Sequence, residues 1–355
     1  SVYHAVLAVV LHTLGGGMGL AAYAGPGRLQ SSDVYMPITP MFHVHAWGVP
    51  YLATLLGCKQ VYPGRYEPPM LLKLLLTEKV TFSHCVPTIL HMLLTSPAAK
   101  DFDLRGWKII IGGSALSRGL AKAASERGIE IFAGYGMSET CPILTLANLK
   151  PDMFDWDIDK RLDIQVLTGT PIPLVDIQVM DVVSGKPVPA DGKTAGEITV
   201  RCPWLTQGYF KAPDKSEELW AGGRLHTGDI AVAHPNGYIQ ITDRLKDVIK
   251  TGGEWISSLH LESIISQYPL ISEVAVVGVP DEKWGERPLA MVVPKADAAE
   301  SFSVEGVKTF LQQFVEDGTL SKWGIPDKFI VTDQIPKTSV GKIDKKVIKK
   351  DVAPK

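Results

Sequence analysis

The first half of the chain alternates between two hydrophobic patterns, and this alternation restricts the possible folds more than any other feature. Short apolar runs typical of strands recur between longer segments that have the spacing of amphipathic helices. Strands separated by helices of this length predict a parallel sheet covered by helices on both faces. The predicted strands are 34–38, 59–62, 80–84, 108–111 and 130–133, and the predicted helices are 2–14, 46–57, 68–78, 87–95 and 117–127.

The second half has a different texture. From about residue 165, short strand-like runs separated by Pro, Gly and Asp predict an antiparallel β module over 165–243. Later runs predict a small α+β domain. Its predicted strands are 273–279, 289–294 and 328–331, and its predicted helices are 258–267 and 303–316. We therefore expect an α/β protein: parallel sheets layered with helices plus the antiparallel module over 1–243, then a small α+β C-terminal domain over 244–355.

Charge and cysteine content limit the class of protein. The 355 residues contain 36 Lys and Arg against 38 Asp and Glu, a net charge of −2, so no bulk field favours nucleic acid or an anionic membrane. The four cysteines are far apart and lack metal-ligand spacing, which favours reduced thiols in a cytoplasmic protein. The apolar start has no basic lead-in and predicts a core helix. Four lysines near the C-terminus, Lys345, Lys346, Lys349 and Lys350, predict a solvated helix face.

One segment, Gly134-Tyr135-Gly136-Met137-Ser138-Glu139-Thr140, combines groups suited to a nucleotide phosphate and its magnesium ion. The two glycines allow close backbone approach, and Glu139 supplies a hard oxygen ligand. An ordinary loop after a strand is the alternative. Because ligands bind beyond the carboxyl ends of strands in such sheets, we expect this loop and Gly112-Gly113-Ser114 to meet in one crevice.

Six motifs in order along the chain resemble those of the adenylate-forming superfamily, which contains acyl-CoA synthetases, luciferases and peptide-synthetase adenylation domains. The matching segments are Pro40–His43, 112–116, 134–140, His226–Asp229, Asp243–Asp247 and Pro336–Lys342. Medium- and long-chain fatty acyl-CoA synthetases are the most similar branch, through Phe42–Trp47 and Gly252–Ser258. The resemblance implies ATP, Mg²⁺ and CoA as cofactors, a carboxylic acid substrate, and acyl-AMP as the intermediate that passes to CoA while AMP leaves.

The resemblance also implies roles for residues at the nucleotide. Tyr135 would lie against the adenine, Ser138 on a phosphate and Glu139 on Mg²⁺. Gly112, Gly113 and Ser114 would pass beside the adenine, and Gly136 would also contribute there; a simple strand-to-helix turn is the alternative for Gly112 and Gly113. Asp229 would accept hydrogen bonds from the ribose hydroxyls, with Arg244 on the other side of the sugar or on a phosphate. For each of these two residues, a structural salt bridge is the alternative.

Further roles concern the acid and CoA. Lys342 would reach the carboxylate and the α-phosphate, and a flexible cationic side chain suits that task. His43 would line the entrance for the carboxylate and CoA, with a satisfied core histidine as the alternative. Trp47, Gly134 and Gly136 would line the acid pocket with it, and the Trp47 indole would act as a movable gate or as a simple core residue. Small residues Gly252 and Gly253 would admit the pantetheine arm of CoA, Lys250 would enter the thioester-forming site, and Lys246 would be the hinge of the small domain.

One family element is missing from the sequence: the Ser/Thr/Gly-rich phosphate loop that ends in Pro-Lys-Gly. Gly15-Gly16-Gly17-Met18-Gly19 contains no Lys, Ser or Thr and cannot supply the same hydrogen-bond donors. We therefore expect the chain to be a fragment that begins after this loop and is inactive or nearly inactive alone.

Other functions remain open at this stage. An adenylation domain for another carboxylate, such as an amino acid, shares the nucleotide motifs, but the stretch from His43 to Val49 contains no Asp to hold an α-ammonium. A luciferase-like enzyme or a non-catalytic nucleotide-binding remnant would also carry these motifs. No nucleic acid partner is expected, membrane contact is expected only through a lipid substrate, and a homodimer is possible.

Overall fold

A computed structural model describes residues 2–252, 254–295, 301–338 and 342–352 of the chain. Residues Ser1–Thr227 and Ala231–Ile241 form one compact unit, and Gly228–Ile230 and Thr242–Lys355 form a second unit. Each unit has its own hydrophobic core.

The main sheet of the first unit has seven strands: β1 (Val34–Pro37), β2 (Lys59–Gln60), β3 (Phe82–Cys85), β4 (Lys108–Ile111), β5 (Glu130–Gly136), β6 (Ile143–Leu146) and β7 (Thr170–Pro171). Their order is β2-β1-β3-β4-β5-β6-β7. Strands β1 to β5 are parallel, which confirms the predicted sheet. Strands β6 and β7 pair antiparallel at its edge and were not predicted, because these short runs lack a clear period.

The strand order contains a change of direction. From β1 the chain moves outward to β2, then returns to the other side of β1 and continues through β3, β4 and β5. In sheets of this kind the crevice outside the carboxyl ends of the strands, at the point where the order reverses, binds the ligand. The reversal lies between β1 and β3. The residues that follow Pro37 and Cys85 are therefore expected to lie at this crevice.

Six helices accompany this sheet: α1 (Val2–Ala21), α2 (Val49–Leu56), α3 (Pro68–Thr77), α4 (Pro87–Thr95), α5 (Arg118–Glu126) and α6 (Ile158–Gln165). Helix α1 extends beyond the predicted end at residue 14 and includes the glycine cluster. An added Cβ would lie 2.8 Å from the Trp204 ring at Gly15 and 3.0 Å from Leu52 at Gly17, so these glycines allow close packing. Helix α1 is long and apolar enough to cross a membrane, a test that core helices and signal sequences also pass.

The predicted antiparallel module is present. It consists of β8 (Asp176–Met180), β9 (Ala195–Arg201), β10 (Leu225–Ala233) and β11 (Ile239–Arg244), with α7 (Pro213–Leu219) before β10. The sheet order is β11-β10-β9-β8, and β8 pairs antiparallel with β9. Its core includes Val179, Ile198 and Val200, which point to one face because side chains alternate along a strand.

The second unit has the expected α+β composition. Its strands are β12 (Ile249–Thr251), β13 (Glu254–Ile256), β14 (Ile271–Asp281), β15 (Gly285–Pro294) and β16 (Lys328–Val331), and its helices are α8 (Ser258–Ile265), α9 (Val304–Glu316) and α10 (Lys345–Val352). Strand β14 contributes Val274 and Val276 to one core and Ala275 and Val277 to another. Both faces of this strand are therefore buried, which explains its unbroken apolar sequence.

Candidate functional site

The segment after β1 has an unusual backbone. Val44, His45, Ala46 and Trp47 have φ angles of 48°, 54°, 49° and 58°. A left-handed backbone costs an L-residue roughly 1–2 kcal/mol, so a whole turn of this kind persists only where its surroundings hold it. The start of the predicted helix at residue 46 is therefore wrong, because the regular helix begins at Val49.

Trp47, which ends this turn, packs against Gly112 of another predicted motif. The indole is 6% exposed. A Cβ added to Gly112 would lie 3.1 Å from Cη2 of Trp47 and 2.9 Å from the carbonyl oxygen of Gly134. Gly112 therefore lies between the Trp47 ring and the Gly134 carbonyl, and glycine is required at position 112 because a side chain would meet both.

His84 also contacts Trp47, although the sequence reasoning did not select it. His84 belongs to none of the motifs identified above and lies within the apolar run that forms β3. The His84 and Trp47 rings are 4.9 Å apart at 32°. Nε2 of His84 is 2.7 Å from the Tyr35 hydroxyl, and Nδ1 is 3.1 Å from the Thr39 hydroxyl. Burial lowers the pKa of His84 to about 3, so the imidazole is neutral at physiological pH.

The remaining predicted residues near these strand ends are more accessible. His43 is half-buried, while Gly113 and Ser114 are exposed. Gly113 has φ of 77°, a left-handed conformation that favours glycine. An exposed backbone turn directly after the buried Gly112 leaves its polar groups accessible to a ligand.

The segment 134–140 is partly a strand, which corrects its prediction as a loop. Gly134 and Tyr135 pair with Leu146 and Thr145, because β6 returns antiparallel beside β5 and supplies backbone partners. Only the residues after Gly136 leave the sheet. A Cβ on Gly136 would lie 1.9 Å from the carbonyl oxygen of Pro142, so the turn requires glycine at this position.

The turn that follows presents the two predicted polar side chains. Ser138 is exposed and Glu139 is half-buried. The Tyr209 hydroxyl donates a hydrogen bond of 2.8 Å to Oε1 of Glu139. Burial, reinforced by Glu139, raises the pKa of Tyr209 to about 12, so this hydroxyl keeps its proton. Tyr209 was missed because seventy residues separate it from Glu139 and nothing in its local sequence indicates the contact.

The carboxylate of Glu139 is a suitable ligand for a magnesium ion. Within the described parts of the chain, no group of three or more His, Cys, Asp or Glu side chains is placed to hold a metal ion. Mg²⁺ in nucleotide sites commonly uses one or two carboxylates together with phosphate oxygens and waters. Because Tyr209 occupies only Oε1, the second oxygen of Glu139 is compatible with that role.

In the second unit the structure brings three predicted residues together. Nε of Arg244 is 3.2 Å from Oδ1 of Asp229, and the Asp229 side chain is buried while that of Arg244 is exposed. Burial lowers the pKa of Lys342, the positive charge of Arg244 lowers it further, and Asp229 acts in the opposite direction. The salt bridge considered as an alternative for Asp229 and Arg244 is thus present, and it places both charges near the predicted adenylation lysine.

The predicted hinge and CoA residues occupy other parts of this unit. Lys246 is exposed, and its carbonyl oxygen accepts a hydrogen bond of 3.0 Å from Nζ of Lys349. Lys250 lies 5.3 Å from the centre of the Trp255 ring. Gly252 has φ of 56°, and a Cβ there would lie 3.2 Å from Trp284. Gly253 lies outside the described residues.

One lysine of the C-terminal cluster, Lys345, has only 13% of its side chain exposed, contrary to the prediction of a solvated helix face. Nζ of Lys345 is 2.8 Å from Oε1 of Glu262 and donates to the Ser258 hydroxyl at 2.6 Å. Asp243 accepts a hydrogen bond of 3.1 Å from the same hydroxyl. Burial raises the pKa of Glu262 and of Asp243, and Lys345 opposes both shifts. The hydrophobic period of the helix could not predict the position of Lys345, because its partners Glu262 and Ser258 belong to a helix that is distant in sequence.

The sequence matches two family models. Residues 8–210 match the AMP-binding enzyme family, and residues 260–342 match the C-terminal domain of AMP-binding enzymes. A long-chain-fatty-acid–CoA ligase from Thermus thermophilus is 40% identical and aligns with 96% of this chain and 61% of its own length. A 3-methylmercaptopropionyl-CoA ligase from Ruegeria lacuscaerulensis is 36% identical over 89% of this chain and 58% of its own length. The chain spans about three fifths of the length of these relatives.

Solved structures show the same fold. ATP-bound MatB from Rhodopseudomonas palustris has a TM-score of 0.79 at 27% identity, over 97% of this chain and 64% of that chain. A fatty acyl CoA synthetase from Mycobacterium tuberculosis has a TM-score of 0.63 at 26% identity, over 98% and 64%. The architecture of both units and the family match over more than half of the sequence lead to one conclusion: the chain belongs to the AMP-binding enzyme family.

Proposed function

We propose that the protein containing this chain is an AMP-forming ligase that joins a fatty or related carboxylic acid to CoA. The observation that carries the proposal is the position of Gly112, which lies directly after β4 between the Trp47 ring and the Gly134 carbonyl. Gly112 and the flat indole form an apolar surface at the carboxyl ends of the parallel strands, the edge at which sheets of this kind bind their ligands. The names of the relatives, CoA ligases for long-chain and methylthio acids, support the choice of acid and thiol.

The reaction has two steps. A carboxylate oxygen attacks the α-phosphorus of ATP, the bond to pyrophosphate breaks, and acyl-AMP forms. The CoA sulfur then attacks the acyl carbon, the bond to the AMP oxygen breaks, and the thiol proton passes to solvent. Negative charge builds on phosphate oxygens in the first step, so cations and hydrogen-bond donors around them lower the barrier.

The predicted residues divide between these tasks. Glu139 would hold Mg²⁺, which offsets the charge of the leaving pyrophosphate. Tyr135, Gly113, Ser114 and Ser138 would surround the nucleotide. Asp229 and Arg244 would hold the ribose, and Lys342 would neutralise charge on the attacking carboxylate and the α-phosphate. The depressed pKa of Lys342 is consistent with a partly desolvated ammonium beside another cation.

The thioester step would use a second set of residues. Gly252 and Gly253 would admit the pantetheine arm, and Lys250 would enter the site at this stage. A change of backbone angle at Lys246 would exchange the Lys342 face of the small domain for the Gly252 face. The side chain of Lys246 is exposed, so a change of backbone angle there disturbs no buried side chain of its own, although it would break the hydrogen bond from Lys349 to its carbonyl oxygen.

Amino acid activation is the main rival function. An enzyme that activates amino acids needs a carboxylate near the α-ammonium, and the segment from His43 to Val49 contains none. The apolar Trp47 wall also favours an acid without a charged substituent.

ATP–pyrophosphate exchange with a panel of acids tests the proposal. The panel contains acetate, butyrate, methylthiopropionate, octanoate, palmitate and several amino acids. Since the chain spans three fifths of its relatives' length, binding of AMP and of an acyl-sulfamoyl adenosine is measured in parallel, because binding needs no turnover. We expect the acyl analogue to bind more tightly than AMP. Exchange that depends on an amino acid, or no binding of either nucleotide, would overturn the assignment.

We also propose a cytoplasmic location and a homodimer. All four cysteines are among the described residues and all are free, with Cys58 and Cys85 buried. Unpaired cysteines are common in reducing compartments. Sedimentation of the purified protein would show whether it dimerises.

A further inference from the structure

A buried hydrogen-bond network joins the start of helix α8 to the end of strand β11. Both carboxylate oxygens of Asp243 take part: Oδ2 accepts from the backbone nitrogen of Ser258 at 2.5 Å, and Oδ1 accepts from the Ser258 hydroxyl at 3.1 Å. The hydroxyl of the preceding Ser257 donates to the carbonyl oxygen of Thr242. Asp243 is 2% exposed and Ser258 is fully buried, so water does not compete for these bonds in the folded unit.

Lys345 from helix α10 completes the network. Its Nζ donates to the Ser258 hydroxyl at 2.6 Å and lies 2.8 Å from Oε1 of Glu262. Because the lysine donates to the hydroxyl oxygen, the hydroxyl proton is left for the carboxylate of Asp243. Hydrogen bonds to an ionised acceptor are stronger than those between neutral groups, so this contact is more than a packing detail.

The network joins chain segments on opposite sides of Lys246, the proposed hinge. Asp243 lies three residues before Lys246, and Ser258 lies twelve residues after it. A change of backbone angle at Lys246 would turn α8 and α10, which follow it, against the strand that precedes it. Hydrogen bonds are lost when donor and acceptor separate beyond about 3.5 Å, so a large turn cannot keep the bonds between Asp243 and Ser258. These bonds must therefore break before the hinge can turn.

The arrangement that these bonds hold favours adenylation. Arg244, which directly follows Asp243, forms an ion pair with Asp229. Both of these charges act on the pKa of Lys342, in opposite directions. The proposed adenylation lysine therefore lies near the proposed ribose-binding pair while the network is intact.

We infer that Asp243 and Ser258 form a latch that sets the balance between the adenylation and thioester arrangements of the second unit. The inference rests on the proposed function, because it requires Lys246 to act as the hinge. Asp243 and Ser258 are positioning residues, since they act through the placement of Lys342 and not on the substrates. Weakening the latch should raise the population of the thioester arrangement and leave the chemistry of each step unchanged.

The test measures the two half-reactions separately in the full-length protein that contains this chain. ATP–pyrophosphate exchange reports adenylation, and thioester formation from synthetic acyl-AMP and CoA reports the second step. For Ser258→Ala we expect the ratio of the thioester rate to the exchange rate to rise by about 3–10-fold, the effect of losing one hydrogen bond. A folding defect would lower both rates together and leave their ratio unchanged.

Two further variants accompany Ser258→Ala. Asp243→Asn keeps the shape of the side chain but removes its charge and one acceptor, so it should raise the ratio in the same direction. Ser266→Ala is the matched control. It removes an exposed hydroxyl just beyond the other end of α8, which donates to the Ser263 carbonyl oxygen, and it should keep the parental ratio.

A second readout needs no catalysis. Endoproteinase Lys-C cleaves after lysine, and fragment masses identify cleavage between Lys246 and Asp247. Lys246 is exposed, and proteolysis follows the population of the opened form when opening is fast. Cleavage at this bond in the 355-residue chain should accelerate by about 3–10-fold in Ser258→Ala and should not change in Ser266→Ala.

The outcomes separate this inference from the proposed function. If the full-length parent catalyses both half-reactions but Ser258→Ala and Asp243→Asn keep its ratio of rates, Asp243 and Ser258 form no latch. Equal rates of cleavage after Lys246 in the parent and in Ser258→Ala would overturn the latch as well. If the parent catalyses neither half-reaction with any acid, the proposed function itself is wrong.

Discussion

At the scale of single residues, His84 is a buried group whose protonation is linked to folding. Its pKa is about 3 in the folded chain against 6.5 in the unfolded chain. Between these values the unfolded chain binds a proton that the folded chain does not, so the stabilising contribution is complete above pH 6.5 and decreases as pH falls towards 3. At pH 5 the loss is about 2 kcal/mol.

His84→Phe isolates this effect. We expect the free energy of unfolding of the parent, measured relative to that of His84→Phe, to fall by about 2 kcal/mol between pH 7.5 and pH 5. His12, whose pKa is lowered to about 4, is present in both proteins and cancels. Urea unfolding at several pH values gives both free energies. A constant difference would show that His84 is not buried in its neutral form.

Gly136 is a second residue whose environment permits a direct prediction. Its added Cβ would lie 1.9 Å from a backbone carbonyl oxygen, which cannot move as a flexible side chain would. Gly136→Ala should therefore lower the free energy of unfolding by at least about 2–3 kcal/mol through backbone displacement. The measurement is denaturant unfolding.

Gly119 provides the matched control. It lies in α5, and nothing is within 4 Å of an added Cβ. Gly119→Ala should stabilise the chain by about 0.5–1 kcal/mol, because alanine is the better helix former. Equal effects at Gly119 and Gly136 would contradict the described geometry of the turn after β5.

At the scale of elements, the turn after β5 and the segment before α7 act together through Tyr209 and Glu139. The hydroxyl fixes one carboxylate oxygen and thereby limits the rotamers of Glu139. Tyr209→Phe should raise the Mg²⁺ concentration needed for half-maximal ATP binding by about 3–10-fold, which corresponds to roughly one charge-assisted hydrogen bond at a partly exposed site. Calorimetric titration of ATP at several Mg²⁺ concentrations measures the change.

Tyr62→Phe is the control for this experiment. Tyr62 is exposed and donates to the Gln60 side chain, so its removal should leave the Mg²⁺ dependence unchanged. A Tyr209→Phe protein with the parental Mg²⁺ dependence would show that Glu139 needs no positioning partner.

Helix α10 is held to α8 by the pair of Lys345 and Glu262. Removing the lysine leaves the largely buried carboxylate of Glu262 and the buried carboxylate of Asp243 without their cation. Lys345→Met should lower the free energy of unfolding of the second unit by about 3–5 kcal/mol, and Glu262→Met combined with it should recover much of the loss. The neighbouring exposed Lys346→Met is expected to change stability by less than about 0.5 kcal/mol, as measured by thermal unfolding.

At the scale of the whole molecule, the proposed adenylation and thioester residues belong to different segments, and substitutions should affect one half-reaction at a time. In the full-length protein that contains this chain, Lys342→Ala should reduce pyrophosphate exchange by about 100-fold or more, the usual effect of removing one charge-stabilising donor. Thioester formation from synthetic acyl-AMP and CoA should be nearly unchanged. Lys346→Ala removes the same charge four residues later and should affect neither rate. Equal losses in both half-reactions for Lys342→Ala would contradict its assignment.

The hydrophobic periodicity of the sequence was sufficient to predict the architecture. Strands β1 and β3 to β5, and most of the helices between them, lie where their hydrophobic patterns predict them, because burial of one face imposes a period that local sequence records. Boundaries were less accurate. Helix α1 continues through the Gly15–Gly19 cluster because Trp204 and Leu52 require small residues there, and β5 continues to Gly136 because β6 pairs with it.

The residues of the candidate site also divide into those that the sequence could identify and those that only the structure revealed. Glycines, Glu139, Asp229 and Lys342 could be selected from sequence because each belongs to a short motif with a recognisable chemistry. His84, Tyr209 and Glu262 could not be selected from sequence, because their partners are 49, 70 and 83 residues away in the chain. The sequence by itself thus determined the class of fold and the inventory of chemical groups, both of which are local properties. The tertiary structure decided which groups touch, because contacts between distant segments arise only when the sheets and helices pack.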